Sequence, residues 1–509
     1  MKTPPATSGA LRDLTEEQLV AAGSATQNIY IEAGPGTGKT TVSAQRFGVL
    51  RFSPSHRSDR RAVVAVSFTR AATHNLRRRV RRIWGNAAQD WPHRVVTLDT
   101  IMAGLLHDLL SSRLVTWPNS VALWPDGNIT LDVRDSWASS CSGTVMTRSQ
   151  CEIHLVDGRL EFQLTFLPES ALKAPPQEVR AHLMQGICTH QDVRTVIALA
   201  LKVPSLASYI QQRLGETMRA LIVDEVFDAN ELDIAIIDRA LAAGVAITLV
   251  GDPWQALYMF RGARPEMVRE LIERAEISTF PLTRSFRWQT SEQSNLAKAL
   301  REGTGVALPA SRSEVDVVLA LRWKDLWSLG DRVLPLAFQS FKGTYEEAAA
   351  TILLNHVTRN ILDNDATYLR DALAALNIQD PDVPQRLAPG LQRVIEMLAP
   401  GGKTAEKAAY TALVEVIKTV SPRELRKPHW VYTQRLGLIQ PRISTPARPV
   451  LGMTTHQAKG GEWPAVGVCL SDAEARALAG GLSVDNDMHR KIYVACTRAR
   501  LHTVALRED

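Results

Sequence analysis

Asn28-Ile29-Tyr30-Ile31-Glu32-Ala33, followed by Gly34-Pro35-Gly36-Thr37-Gly38-Lys39-Thr40-Thr41, reads as a short apolar strand, a glycine-rich loop and the first turn of a helix. A loop that wraps phosphate oxygens needs residues without side-chain bulk, so that backbone N–H groups point inward at a helix N-terminus. It also needs an ammonium as a point charge and a hydroxyl for a magnesium ion. Gly34, Gly36, Thr37, Gly38, Lys39, Thr40 and Thr41 supply those parts, with Ala33 standing where the eight-residue pattern formally has glycine. Such a loop works with carboxylates. Leu221-Ile222-Val223 runs into Asp224-Glu225, at the end of a strand where open α/β sheets place ligands. Asp224 is expected to hold magnesium and Glu225 to orient or deprotonate an attacking water.

Working outward, Ala62–Ser67, Arg94–Thr97, Ala220–Val223 and Ala246–Val250 read as buried strands, most of them followed by helical periodicity. That alternation indicates a parallel sheet covered by helices. Residues 102–206 interrupt it with an irregular pattern. A second alternating series holds Val315–Leu321, Arg332–Phe338, Val450–Met453, Val466–Leu470 and His502–Ala505, and encloses a helical stretch from Tyr345 to Val420. Two α/β cores, each with an insertion, account for this order.

The composition agrees. With 509 residues, 45% hydrophobic and 22% charged, the chain is expected to fold as about three or four domains. No apolar run approaches the roughly 20 residues of a membrane span, and Met1–Gly9 lacks a signal-peptide core, so a cytoplasmic location without a membrane partner is expected. Five cysteines without a CxxC predict free thiols. Cys141, Cys151, His154, Cys188 and His190 concentrate soft ligands in the first insertion, but their spacing fits no standard zinc site. The first 100 residues hold 15 basic and 7 acidic side chains, and Arg77, Arg78, Arg79, Arg81 and Arg82 form a density suited to phosphates.

Further motifs fall in order along the chain. They are Leu14-Thr15-Glu16-Glu17-Gln18, Phe68-Thr69-Arg70-Ala71-Ala72, Thr97-Leu98-Asp99-Thr100-Ile101, Asp224-Glu225-Val226-Phe227-Asp228 and the run Gly251 to Ala263. Leu282 to Arg287, Thr454 to Trp463 and Tyr493 to Arg500 complete the set. Together these resemble the UvrD/Rep/PcrA-like superfamily 1A DNA helicases. The resemblance implies an α/β fold with two RecA-like P-loop NTPase cores, parallel sheets flanked by helices, and two inserted subdomains, the second reduced. The cores would be residues 1–101 with 207–285, and 286–344 with 427–509; the insertions would be 102–206 and 345–426.

The resemblance further implies ATP and Mg2+ between the cores. Gln18 would read adenine, Phe286 would stack on it, Gln255 would sense the γ-phosphate and Glu462 would meet the ribose. Arg287 and Arg498 would stabilise the transferred phosphoryl group. Phe68, Tyr258 and Phe260 would stack on bases of single-stranded DNA or a 3′-tailed duplex, while Thr69, Thr97 and His456 would bond its backbone. The implied activity is 3′-5′ translocation or unwinding. A second reading is an ATP-gated nucleic-acid-binding subunit that recruits a partner such as a nuclease in repair or phage defence, and an RNA motor is a third.

Four differences from the family pattern stand out. Val226-Phe227 replaces Ala-Gln, which removes a polar relay; Asp99 replaces His and adds negative charge near the expected DNA path. Gly461 replaces Leu and is expected to loosen its motif, and Arg70-Ala71 replaces Asn-Lys.

Overall fold

The computed structural model describes residues 14–56, 58–137, 141, 149–166, 175–310 and 314–506. The reading of Met1–Gly9 lies outside them. The chain forms two compact units. The first takes in residues up to Asp135, Cys151–Thr165 and Arg180–Arg287; the second takes in Ser136–Gln150, Phe166–Val179 and Trp288 onward. Phe286 and Arg287 therefore group with the first unit, and the 102–206 insertion is shared between the two groupings.

The first unit is built on strands β1 (Ile29–Ala33), β2 (Ala62–Ser67) and β3 (Arg94–Thr97). A small lobe of β4 (Asp132–Arg134), β5 (Ser149–Val156), β6 (Arg159–Phe166) and β7 (Ile187–Thr189) interrupts the order. Strands β8 (Met218–Asp224), β9 (Ala246–Gly251) and β10 (Ser278–Leu282) then complete the sheet. The six-stranded sheet has the order β10-β1-β9-β8-β2-β3, and every pairing in it is parallel. Apolar runs form these strands because both faces are covered. Ile29, Ile31 and Ala33 of β1 alternate onto one face, where they meet Ala21, Val42, Phe47, Leu76 and Val80. Those residues come from helices α1 (Glu16–Gly23), α2 (Lys39–Phe52) and α3 (Arg70–Trp84). Further helices are α4 (Leu98–Ser111), α5 (His190–Leu201), α6 (Pro204–Thr217) and α7 (Glu231–Ala242).

The edge strand β10 escapes sequence periodicity: it contains Pro281 and buries only Leu282 fully. Proline is tolerated at such an edge because no neighbour needs its missing N–H. The β5/β6 hairpin turns on Asp157 and Gly158, both with positive φ (46° and 76°), the backbone of a type I′ turn.

The second unit has a five-stranded sheet of β11 (Val317–Ala320), β12 (Val333–Pro335), β13 (Val450–Thr454), β14 (Trp463–Cys469) and β15 (Ala499–Leu506). Its order is β12-β13-β11-β14-β15, again wholly parallel. Helices α8 (Tyr345–Leu362), α9 (Leu369–Ala375), α10 (Val383–Leu398), α11 (Gly402–Lys418) and α12 (Trp430–Ser444) pack as one hydrophobic cluster. Leu436 and Ile439 of α12 belong to that cluster, so the helical packing continues to Ser444, past the residue 426 expected from the sequence. Arg442 pins α12 to the sheet: its guanidinium stacks 4.5 Å from the Trp327 ring and donates to the carbonyls of Val333, Trp327 and Leu438. The architecture is thus α/β, with two parallel sheets flanked by helices, as RecA-like P-loop cores are built. No single helix among the described residues is long and apolar enough to cross a membrane.

Candidate nucleotide and nucleic-acid site

In the first unit, the motifs read from the sequence collect at one edge. Gly34–Thr41 follows β1, Asp252 to Ala263 follows β9, and Asp224-Glu225 closes β8. Thr283–Arg287 follows β10, Phe68 and Thr69 follow β2, and Thr97 ends β3. All are carboxyl ends of parallel strands, the edge at which such sheets bind ligands.

The glycine loop has the geometry its composition implies. Gly36 and Gly38 have φ of 75° and 87°, which only glycine adopts freely. A Cβ on Gly36 would lie 2.5 Å from Cβ of Arg287, and one on Gly38 would lie 2.7 Å from Nε2 of Gln18. Close approach therefore requires glycine at both places. Lys39 begins α2 and turns its ammonium back into the loop, donating to the carbonyls of Ala33 (3.1 Å) and Gly34 (3.5 Å). Its Nζ lies 4.0 Å from Oε1 of Glu225.

Asp224 is 2% exposed, and Oγ of Ser43 lies 3.2 Å from its Oδ1. Burial, together with the neighbouring Glu225 carboxylate, raises its pKa from the usual range, opposed by Lys39. Glu225 sits in the left-handed region (φ 60°), an uncommon conformation for glutamate that a tight strand-to-turn exit imposes. Two adjacent carboxylates, one of them bonded to a hydroxyl, are a donor set that suits a hard divalent cation. Gln255 is buried and donates through Nε2 to Asp252, which also accepts from the backbone N–H of Trp254.

Helix α1 is held against this loop. Thr15 and Gln18 form a reciprocal capping box, and Gln18 Nε2 donates to the Thr37 carbonyl at 2.8 Å. Glu17 accepts from both the hydroxyl and the N–H of Thr283, and these bonds lower its pKa. Phe286 donates its N–H to the Gly36 carbonyl, while its ring is 49% exposed beneath the Arg284 guanidinium. Ser285 donates to the Pro35 carbonyl, and Arg287 is buried.

One residue at this site was read from the sequence only as part of the basic run. Arg79 of α3, exposed like Arg78, Arg81 and Arg82, donates to the Thr41 hydroxyl at 2.8 Å, so one arginine of the basic run reaches the loop helix.

The residues expected to contact nucleic acid fall in both units. Phe68 and Thr69 are half-buried at the start of α3, where the Thr69 hydroxyl accepts from the Ala72 N–H. The Thr97 and Thr100 hydroxyls are 3.0 Å apart. Phe260 is 67% exposed beside Tyr258, ring centres 5.9 Å apart, and Arg261 lies over both rings. In the second unit, His456 follows β13, Glu462 is exposed just before β14, and Arg498 is buried with Nε donating to the Val494 carbonyl.

Comparison with known proteins agrees with this arrangement. A family model described as an AAA domain matches residues 16–261. ATP-dependent DNA helicase UvrD2 of Mycobacterium tuberculosis is 24% identical over 93% of this chain and 75% of its own length. ATP-dependent DNA helicase srs2 of Schizosaccharomyces pombe is 24% identical over 55% of this chain, a match that spans only 34% of the yeast protein. RecBCD enzyme subunit RecB of M. tuberculosis is 36% identical over 67 residues, 13% of this chain and 6% of its own. These matches support a likeness to the UvrD/Rep/PcrA-like superfamily 1 DNA helicases.

Set against the pattern of those helicases, the chain's departures acquire physical reasons. Phe227 is buried edge-on to Tyr30, with ring centres 5.9 Å apart, so an apolar contact stands where the relay glutamine would be. Gly461 makes room for an indole: a Cβ there would lie 2.5 Å from the Trp463 ring, so packing explains a residue expected to loosen the motif. Arg70 pairs with Asp135. Asp99 is paired with Arg194 at 2.7 Å, a guanidinium that it shares with Asp233, so the negative charge expected from sequence is present but held in an ion-pair network. Among the described residues, no group of three or more His, Cys, Asp or Glu side chains converges as a metal site. Burial pushes the Cys151 and Cys188 thiols up to about 11 and about 12.

Proposed function

We propose that this chain hydrolyses ATP with Mg2+ and uses the cycle to move 3′-5′ along single-stranded DNA. The observation that carries the reading is the convergence of Lys39, Asp224, Glu225 and Gln255 at the carboxyl edge of one sheet, with Phe68, Thr69 and Thr97 on the same edge. Lys39 would exchange its loop carbonyls for β- and γ-phosphate oxygens, and the N–H groups of Gly36 to Thr41 would cradle the rest. Thr40 and Asp224 would hold the magnesium ion, which when bound neutralises phosphate charge. Glu225 would take the proton of the attacking water, with Gln255 positioning it. Gln18 and Phe286 would bind adenine, Arg79 would add a cation beside Thr41, and Glu462 would meet the ribose. Arg287 and Arg498 would stabilise charge on the transferred group.

Phe68, Tyr258 and Phe260 would stack on successive bases without regard to sequence, and Thr69, Thr97 and His456 would bond the backbone. The buried Phe227 and the small helical α8–α12 cluster favour a second reading, an ATP-gated subunit that unwinds poorly and serves a partner such as a nuclease. A forked duplex with a 3′ tail separates the two: strand displacement by the isolated chain rejects the second, and ATPase without displacement rejects unwinding. Matched DNA and RNA oligonucleotides test the nucleic acid, since only 2′-hydroxyl contacts distinguish them.

A further inference from the structure

Arg194 occupies a junction that no motif marks. It projects from α5, and its side chain is 16% exposed. Nη1 donates to Asp99 at 2.7 Å, while Nη2 donates to Asp233 at 2.6 Å and to Asn230 at 2.9 Å. The partners belong to two different working segments. Asp99 lies in the first turn of α4, two residues after Thr97. Asn230 and Asp233 form the capping box of α7, just beyond Asp224-Glu225. Asn230 also bridges Ala263, and Arg264 donates its N–H to the Ala229 carbonyl, which binds the end of the Tyr258–Ala263 segment to the same point. Burial works against charge on Arg194, but Asp233 and Asp99 outweigh it and raise its pKa. A guanidinium suits this position because its planar fork reaches three acceptors at once, which an ammonium on a flexible stem does not.

We propose that Arg194 is a positioning residue that couples nucleic-acid contact at Thr97 and Phe260 to the acids at Asp224-Glu225, in place of the relay that Phe227 cannot provide. The inference rests on the motor reading above. If it holds, breaking the fork leaves nucleotide turnover intact and removes its response to DNA.

The experiment compares ATP turnover without DNA and with saturating oligo-dT for the full chain and for Arg194→Lys, Asp99→Asn and their double variant, each checked for a wild-type melting transition. Expected is a stimulation ratio at least tenfold lower in Arg194→Lys, with DNA-free turnover and the KM for ATP within about threefold of wild type. The double variant should be no worse than Arg194→Lys, because both substitutions cut one network. An unchanged ratio in Arg194→Lys overturns the inference, as does an equal fall in basal and stimulated rates, which marks a merely structural role. If the wild-type chain itself shows no stimulation, the motor reading fails first and this coupling fails with it.

Discussion

Strands β1 and β11 occupy comparable places, each inside a parallel sheet with a parallel neighbour on either side. Their loops diverge completely. After β1 the chain turns through Gly34–Gly38 into α2 and points an ammonium into the turn. After β11 it runs Leu321-Arg322-Trp323-Lys324-Asp325: the Ala320 carbonyl accepts from the Thr455 N–H, Arg322 pairs with Asp325 at 2.7 Å, and Trp323 is buried at the start of a short helix. A parallel sheet supplies an edge and a direction, and loop chemistry determines whether that edge can hold phosphate. The first unit has a glycine loop suited to phosphate. The second has a packed indole in the same place.

The comparison breaks most visibly if Lys39 is not needed. Lys39→Ala and Glu225→Gln should abolish DNA-stimulated ATP hydrolysis, measured as phosphate release, while both proteins keep a cooperative melting transition. Arg498→Ala asks whether the second unit contributes catalytically despite lacking a phosphate loop; hydrolysis should slow roughly a thousandfold or more, with ATP binding little changed. Phe260→Ala should weaken binding of a single-stranded oligonucleotide by about 1 to 3 kcal/mol, read by fluorescence anisotropy. Gly38→Ala should weaken ATP binding by about 1 to 2 kcal/mol, because alanine is strained at φ 87° and its methyl meets the Gln18 amide. The smallest effect belongs to the β11 loop: Arg322→Ala removes a partly exposed ion pair, should cost at most about 1 kcal/mol of stability by denaturant titration, and should leave hydrolysis unchanged.

Most of the fold was legible in the sequence because both sheets are parallel and buried, so their strands read as apolar runs. Strand β10 was not, since an exposed edge with Pro281 carries neither alternation nor an apolar run. The short strands of the first insertion were visible only as irregular alternation near Leu160. The glycine loop and the acids beside it were legible because the chemistry proposed for them constrains residue type and spacing together. Arg79 was hidden within a run of arginines, and only its bond to the Thr41 hydroxyl separates it from its equally exposed neighbours. Arg194 was invisible: its three partners lie 95, 36 and 39 residues away in sequence, and no local pattern encodes that meeting. The pairing of Asp99 was hidden for the same reason.

The central claim is that the edge of the first sheet binds ATP and answers to single-stranded nucleic acid. Its most direct test is the steady-state rate of phosphate release by the purified chain, with and without single-stranded DNA, beside Lys39→Ala and Glu225→Gln. The account predicts a rate that rises on adding DNA and is absent from both variants. Hydrolysis that persists in both, with or without DNA, would contradict it.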